Sequence, residues 1–227
     1  MEKRTVTVAV EGNVGSGKTT FLEFFKKTSA AIEVLPEPID QWRNVNGYDL
    51  YVYSFIYTCV KDMFYCYRLR WNMPYRAQLM VTLVNQMAQP QTLPVRLIER
   101  SLHSNQFVFS EALRKNGLIS EGDFKVQEEF YDWSCGLPFM KLDRIVYLRT
   151  TPDVCAERIR KRDRKGEGWI EMDYLRQLHD LHDDWLLGRK PKRCPVPVLV
   201  IDSTDSLDKV TSTYYGRRDE IFSGIKI

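Results

Sequence analysis

No two of the five cysteines stand at C-x-x-C spacing, and their number is odd. Cys59, Cys66, Cys135, Cys155 and Cys194 therefore read as reduced, mostly buried thiols rather than a disulfide framework or a zinc knuckle. Histidine is scarce as well. His179 and His182 stand three apart, but no cysteine or further histidine lies beside them to complete a metal set, so they read as surface or packing residues. Long apolar runs are missing. The most apolar stretch, LYVYSFIYTCV at 50–60, meets Lys61 and Asp62 well before the about 20 residues that a bilayer span needs. MEKRTVTVAVEGN at the start has no apolar core of a signal peptide. No membrane partner is expected, and the chain is placed inside the cell: cytoplasmic as it stands, mitochondrial if a presequence was removed. An excess of one charge is missing too. The 33 Lys and Arg nearly cancel the 30 Asp and Glu, for a net +3, whereas nucleic-acid binders carry a strongly basic face. Repeats, low-complexity tracts and linkers are also lacking, and 227 residues suit one domain, 1–227, with its own core.

What is present alternates. Five short apolar runs, TVTVAV (5–10), IEVL (32–35), VRLIE (95–99), RIVYLR (144–149) and VPVLVI (196–201), read as strands covered on both faces. Helical patterns over 19–27, 75–87, 120–133, 152–164 and 172–187 lie between them, with Ser120 and Asp123 as candidate caps. Strand alternating with helix predicts an α/β fold with a five-stranded parallel sheet flanked by helices.

The first strand runs into EGNVGSGKTT (11–20), in which Gly12, Gly17, Lys18 and Thr19 satisfy G-x-x-x-x-G-K-[ST]. The glycines let the backbone of Gly12, Asn13, Val14, Gly15, Ser16 and Gly17 turn its N–H groups onto phosphate oxygens, and the helix that starts there adds partial positive charge. Lys18 supplies a full charge to the transferred phosphoryl group. Thr19 offers a hydroxyl to Mg²⁺, with Thr20 beside it. With strand and helix both in place, the stretch binds a nucleoside triphosphate. A guanine-reading NKxD is absent, as is a strand ending in Asp followed by the DxxG of a switch, which argues against GTPases. The third strand ends instead in Glu99, a carboxylate that can hold Mg²⁺ directly or through water. The second ends in LPEP, where Glu37 is either a proton acceptor for an attacking hydroxyl or a surface carboxylate at a turn. RIRKRDRK (158–165) puts Arg158 and Arg162 on one helix face, with Arg164 after them and Gly166 and Gly168 near. Such a cluster is either a solvated basic face or a lid, about 158–170, that closes over a triphosphate, and the phosphate loop upstream favours the lid.

Taken together, EGNVGSGKTT, PEPIDQWRNVNG (36–47), ERSLHSNQFVF (99–109), YLRTTPDVCAERIRKR (147–162) and YLRQLHDLHDDWL (174–186) resemble the animal deoxyribonucleoside kinases, above all their mitochondrial thymidine kinase and multisubstrate insect branches. The resemblance spans about 5–202. It implies a P-loop kinase fold with a short arginine-rich lid, and transfer of the ATP γ-phosphate to the 5′-hydroxyl of a deoxyribonucleoside in nucleotide salvage. Pyrimidines such as thymidine and deoxycytidine are the expected acceptors. It further implies Glu37 as general base, Arg100 bonding the 5′-hydroxyl and the base, Glu99 as the Mg²⁺-associated acid, and Arg158, Arg162 and Arg164 as lid arginines on ATP. Trp42 and Phe109 become the rings that sandwich the nucleobase. Glu167 becomes the lid acid that pairs with a tyrosine on the sugar 3′-hydroxyl. A homodimer and inhibition by an end-product triphosphate belong to the same implication.

The chain departs from that family in several places. About ten extra residues rich in tyrosine lie between Trp42 and Trp71. The 3′-hydroxyl tyrosine is assigned to Tyr65, with Tyr67 as the alternative. For the base-reading position Gln78 is preferred to Arg76, because an amide offers donor and acceptor while an arginine offers donors alone. KGEG leaves one lid acid where relatives have two. Asn105 stands where thymidine-preferring relatives have Ala and deoxycytidine and purine kinases have Asp, and Asn85 is placed in the same cleft. A nucleoside monophosphate kinase shares sheet and lid but needs a cationic site for the acceptor phosphate, which Glu37 would repel. A non-catalytic ATP-binding regulator is the third reading.

Overall fold

A computed structural model describes residues 5–51, 65–164, 167, 170–188, 194, 196–222 and 224–225, with the side chains of 65–70 outside the description. Five strands form one sheet: β1 (Val6–Glu11), β2 (Ile32–Leu35), β3 (Val95–Glu99), β4 (Arg144–Arg149) and β5 (Val198–Asp202). Their order is β2-β3-β1-β4-β5 and every pairing is parallel, with Val6 opposite Val95 and Val8 opposite Arg144. This is the sheet expected from the alternation of elements.

Strand periodicity sorts the core into two layers. Val6, Val8 and Val10 point to one face, where α1 (Lys18–Thr28) lays down Phe21, Leu22 and Phe25, and α9 (Leu207–Gly216) brings Tyr214. Ala9, Ile145 and Tyr147 point to the other face, against Leu175, Leu178, Leu181 and Trp185 of α8 (Met172–Leu186). A third cluster lies to one side, where Trp42 of α2 (Ile39–Arg43) packs on Tyr75, Leu79 and Leu83 of α3 (Tyr65–Ala88).

Helix ends differ from the periodicity-based expectation in physical ways. α3 begins ten residues earlier than the pattern suggested, and it carries Pro74 inside. α6 (Glu121–Cys135) starts where expected, since the Ser120 hydroxyl accepts the Asp123 N–H at 3.0 Å. α7 (Pro152–Arg162) stops two residues early because Asp163 turns into the left-handed region at φ 47°. The helical run after β3 carries no strong amphipathic signal and was not anticipated. It comprises α4 (Leu102–Ser104), a π-helical turn (Asn105–Ser110) and α5 (Glu111–Lys115). After β5, α9 and α10 (Arg218–Ile221) were likewise unpredicted.

Because all strands are parallel, their carboxyl ends share one edge. Glu11, Leu35, Glu99, Arg149 and Asp202 end the five strands there, and the chain crosses from one side of β1 to the other. That edge is where a doubly wound sheet leaves a crevice for ligands.

Candidate active site

Residues 12–17 turn out of β1 into α1 with three glycines at positive φ: 148° at Gly12, 79° at Gly15 and 95° at Gly17. A Cβ on Gly12 would stand 2.6 Å from the Leu148 carbonyl oxygen, and one on Gly15 would stand 2.6 Å from that of Cys155. The loop is thus pressed against β4 and α7, and only glycine fits at these two points. The Asn13 side chain pins it to α8, its Nδ2 donating to the Leu175 carbonyl at 2.8 Å.

Lys18 is buried, with Nζ donating to the carbonyls of Gly12 at 3.2 Å and Asn13 at 2.8 Å. Burial, and then the neighbouring Arg100 charge, pulls its pKa down to about 8, while Glu99, Glu37 and Glu11 act in the opposite sense. An incoming phosphate would offset that penalty. Thr19 Oγ1 donates to Glu99 Oε1 at 3.0 Å and Oε2 at 3.2 Å. One hydroxyl and one carboxylate beside a phosphate cradle are the hard oxygen donors that Mg²⁺ uses, since it keeps waters and substrate phosphates as its remaining ligands.

Arg100 ties this cradle to a second carboxylate. It sits just past β3 in the left-handed region, φ 64°, with its backbone N–H donating to the Val10 carbonyl at 3.0 Å. Its Nη1 donates to the Gly12 carbonyl at 3.1 Å, its Nε lies 3.4 Å from Glu37 Oε1, and the guanidinium stands 4.6 Å from the Phe109 ring centre. A non-glycine residue held at positive φ stores strain that this network must hold in place. Burial pushes the Glu37 carboxyl up and Glu99 adds to that, with Arg100 the main opposing charge. Glu11, the last residue of β1, was not singled out in the sequence. It is fully buried, accepts the Ser101 hydroxyl at 2.5 Å, and leaves its other oxygen without a hydrogen-bond partner among the described residues. Burial pushes it up to about 7. Its signal was a lone acid closing an otherwise apolar strand.

Beside Glu37 and Arg100 opens a cavity lined by Trp42, Tyr75, Arg76, Leu79, Asn105 and Phe109, among others. The Trp42 ring is 1% exposed, and its Nε1 donates to Thr82 Oγ1 at 2.8 Å. The π-helical turn after β3 carries both Asn105 and Phe109 to the cavity wall. Gln78 does not line this cavity, which corrects the sequence-based placement. Tyr75, Arg76, Leu79 and Leu83 form the inward face of α3, and Gln78 lies about 200° round the helix from Arg76. Asn85 is exposed and also stands outside. The Tyr65 and Tyr67 side chains, like the rest of the tyrosine-rich insertion at 52–64, lie outside the described residues. Among the described residues, Tyr51 faces the lid acid, its hydroxyl donating to Glu167 Oε1 at 3.5 Å.

Of the lid arginines, two converge and one diverges. Arg162 Nη2 bonds Glu167 Oε2, and Arg164 Nη1 donates to Glu167 Oε1 at 3.2 Å. Glu167 itself is 2% exposed. Arg158 Nη2 instead donates to the Asp205 carbonyl at 2.9 Å, closing a cleft between Gly17, Thr20, Lys161 and the loop 203–207. That loop was also missed, since its serines and aspartates look like any solvent-facing turn. Gly166 and Gly168 lie outside the described residues. Of the histidines, His182 is packed flat against Tyr147 with its ring centre 5.9 Å away.

Comparison with known proteins agrees with the direction of this geometry. Residues 8–216 match the deoxynucleoside kinase family. The chain is similar to "Thymidine kinase 2, mitochondrial" of Homo sapiens, 36% identical over 222 residues that cover 98% of this chain and 79% of the relative. It is also similar to deoxycytidine kinase 2 of Gallus gallus, 31% identical over 94% of this chain and 88% of the relative. Deoxycytidine kinase of Mus musculus is 31% identical over 91% and 87%.

Proposed function

The chain belongs to the deoxynucleoside kinase family and is a phosphotransferase, and we propose that it moves the γ-phosphoryl group of ATP to the 5′-hydroxyl of deoxyribonucleosides, pyrimidines above all. One observation carries this reading. A single guanidinium, Arg100, bonds the Gly12 carbonyl of the phosphate loop and pairs with Glu37 at 3.4 Å, so a proton acceptor is tied directly to a triphosphate cradle.

Each group then has work to do. Glu37 accepts the proton of the 5′-hydroxyl, and a carboxyl raised by burial is a stronger base than one in water. Lys18, with Arg162 and Arg164 of the lid, offsets charge on the γ-phosphoryl as it moves. Thr19 and Glu99 are the residues that would hold Mg²⁺, which when bound would offset negative charge on the phosphates. Trp42 and Phe109 offer flat faces to the base. Tyr51 and Glu167 take the sugar 3′-hydroxyl; the Tyr65 side chain, expected in that role, lies outside the described residues. The cleft closed by Arg158 and the 203–207 loop takes the donor's adenosine. Most of the rate comes from positioning and fixed charge, as expected for phosphoryl transfer.

Two further points belong to the same reading. Val126, Phe130 and Trp133 form an exposed apolar stripe along α6, which packs against α3. The stripe supports a homodimer, and Trp133→Glu should return it to monomer in sedimentation. Among the described residues no helix is long and apolar enough to cross a membrane, and we place the enzyme inside the cell as one domain spanning the chain.

The test is turnover with ATP and Mg²⁺ against thymidine, deoxycytidine, deoxyadenosine and deoxyguanosine, with thymidine monophosphate alongside. Phosphorylated pyrimidine nucleosides are expected. Product from the monophosphate alone would make it a monophosphate kinase. ATP binding with no product from any acceptor would make it a regulator.

A further inference from the structure

The acceptor cavity contains one cation that phosphoryl transfer does not use. Arg76 is 4% exposed on the inner face of α3. Among the described residues no carboxylate pairs with it. Its Nη1 donates to Asn105 Oδ1 at 2.5 Å, and its Nε is buried without a partner. Burial works against its charge. A guanidinium has five donors and no acceptor, so the amide of Asn105 must turn its oxygen towards Arg76 and its NH₂ elsewhere. The Trp42 N–H is already taken by Thr82. Away from Glu37, Arg76 is therefore the donor-rich group of the cavity wall, with the amide oxygen of Asn105 turned to it, beside the hydroxyls of Tyr75, Ser101 and Ser104, which can donate or accept.

A desolvated donor is costly until a ligand brings it an acceptor. The guanidinium fork favours two acceptors side by side, because its N–H groups run parallel. The four bases differ in this respect. Cytosine places N3 and O2 next to each other, both acceptors. Thymine places the N3–H donor between its two carbonyls, so an approaching fork meets one acceptor and one donor. Adenine flanks its ring acceptors with an amino group. Guanine has the adjacent pair O6 and N7, on a larger ring system.

We propose that Arg76, held by Asn105, is the specificity-determining residue of the acceptor site and selects cytosine over thymine through the adjacent N3 and O2. This rests on the deoxyribonucleoside-kinase reading and narrows it. It also assigns the base edge to the residue that the sequence-based preference for Gln78 passed over.

The experiment measures kcat/KM of the unaltered enzyme for deoxycytidine, thymidine, deoxyguanosine and 3-deaza-2′-deoxycytidine, in which C–H replaces the N3 acceptor. Deoxycytidine should exceed thymidine by about 10- to 100-fold, the range a good bidentate contact provides. The 3-deaza analogue should lose most of that advantage through a raised KM. In Arg76→Gln the ratio of deoxycytidine to thymidine should collapse. A 3-deaza analogue as good as deoxycytidine, thymidine preferred by the unaltered enzyme, or deoxyguanosine preferred to deoxycytidine would each overturn the assignment. The analogue comparison needs no variant, so it stands even if Arg76→Gln fails to fold. Failure of the broader reading looks different: no nucleoside of any base is phosphorylated.

Discussion

The phosphate loop takes its shape from six consecutive residues, 12–17, and presents backbone. The acceptor cavity collects side chains from the β2–α2 turn, α3, the end of β3 and the π-helical turn, which are far apart in the chain. In the first region glycine conformation decides the geometry, and the neighbours touch it through carbonyl oxygens. In the second, charged and aromatic side chains are held by one another: Arg100 by Gly12 and Glu37, Trp42 by Thr82, Arg76 by Asn105. A contiguous backbone site is rigid and general. A site of separate side chains is tunable, because any one can change without altering the fold. That difference fits a phosphate loop that follows a widespread spacing pattern beside a cavity whose lining no local pattern announces.

The largest effect should come from removing Glu37, the proposed proton acceptor. Glu37→Gln should lower kcat by about 10²- to 10⁴-fold while the KM for ATP holds, since a general base contributes on that scale. Steady-state kinetics with both substrates varied would check it, and near-normal turnover would sink the role given to Glu37. Gly12→Ala should act on the other half. A Cβ in the left-handed region costs about 1–3 kcal/mol, and here it also meets a backbone carbonyl at 2.6 Å. Calorimetry should show a lower Tm and ATP binding weakened by about tenfold or more, with nucleoside binding much less affected. Equal losses of both ligands would erase the distinction between the halves.

A third effect is in stability, measured without nucleotide. Glu11 is raised to about 7, so its contribution is full below its ordinary 4.5 and is lost as pH rises through about 7. Lys18 is lowered to about 8, so its contribution is present above its ordinary 10.5 and is lost as pH falls through about 8. Between those values both are charged and buried, and the empty crevice is least favourable. Chemical denaturation across pH should show Glu11→Gln removing the acid-side decline and Lys18→Met removing the alkaline-side one. Unchanged pH slopes would mean that neither burial penalty is real. The smallest effect is Arg158→Ala. It breaks one contact to the Asp205 carbonyl at the edge of the donor cleft, and should raise the KM for ATP only a few-fold.

The sequence made some of this legible and not the rest. Gly12, Gly17, Lys18 and Thr19 were readable because their spacing alone defines the loop. Ser120 was readable because a cap acts on residues next to it. Glu37 was visible but its role was open, since only the structure brings it to Arg100. Tyr51 was invisible as a partner of Glu167, because 116 positions separate them. Gln78 was preferred to Arg76 on hydrogen-bonding capacity, whereas the structure turns Arg76 to the cavity, because the direction of a helical side chain is set by what the helix packs against. Glu11 and the 203–207 loop carried no pattern that distinguishes a site from a strand end or a turn.

By itself, then, the sequence determined the five strands, the longer helices between them, the phosphate loop and the arginine-rich helix end, all of which follow from local periodicity and backbone chemistry. The tertiary structure decided which carboxylates share a crevice, which face of α3 looks inward, and that Arg76 enters the acceptor cavity with Asn105 as its only hydrogen-bonded partner among the described residues. Local propensity acts over a few residues, whereas burial and charge pairing depend on segments that meet only when the sheet has closed.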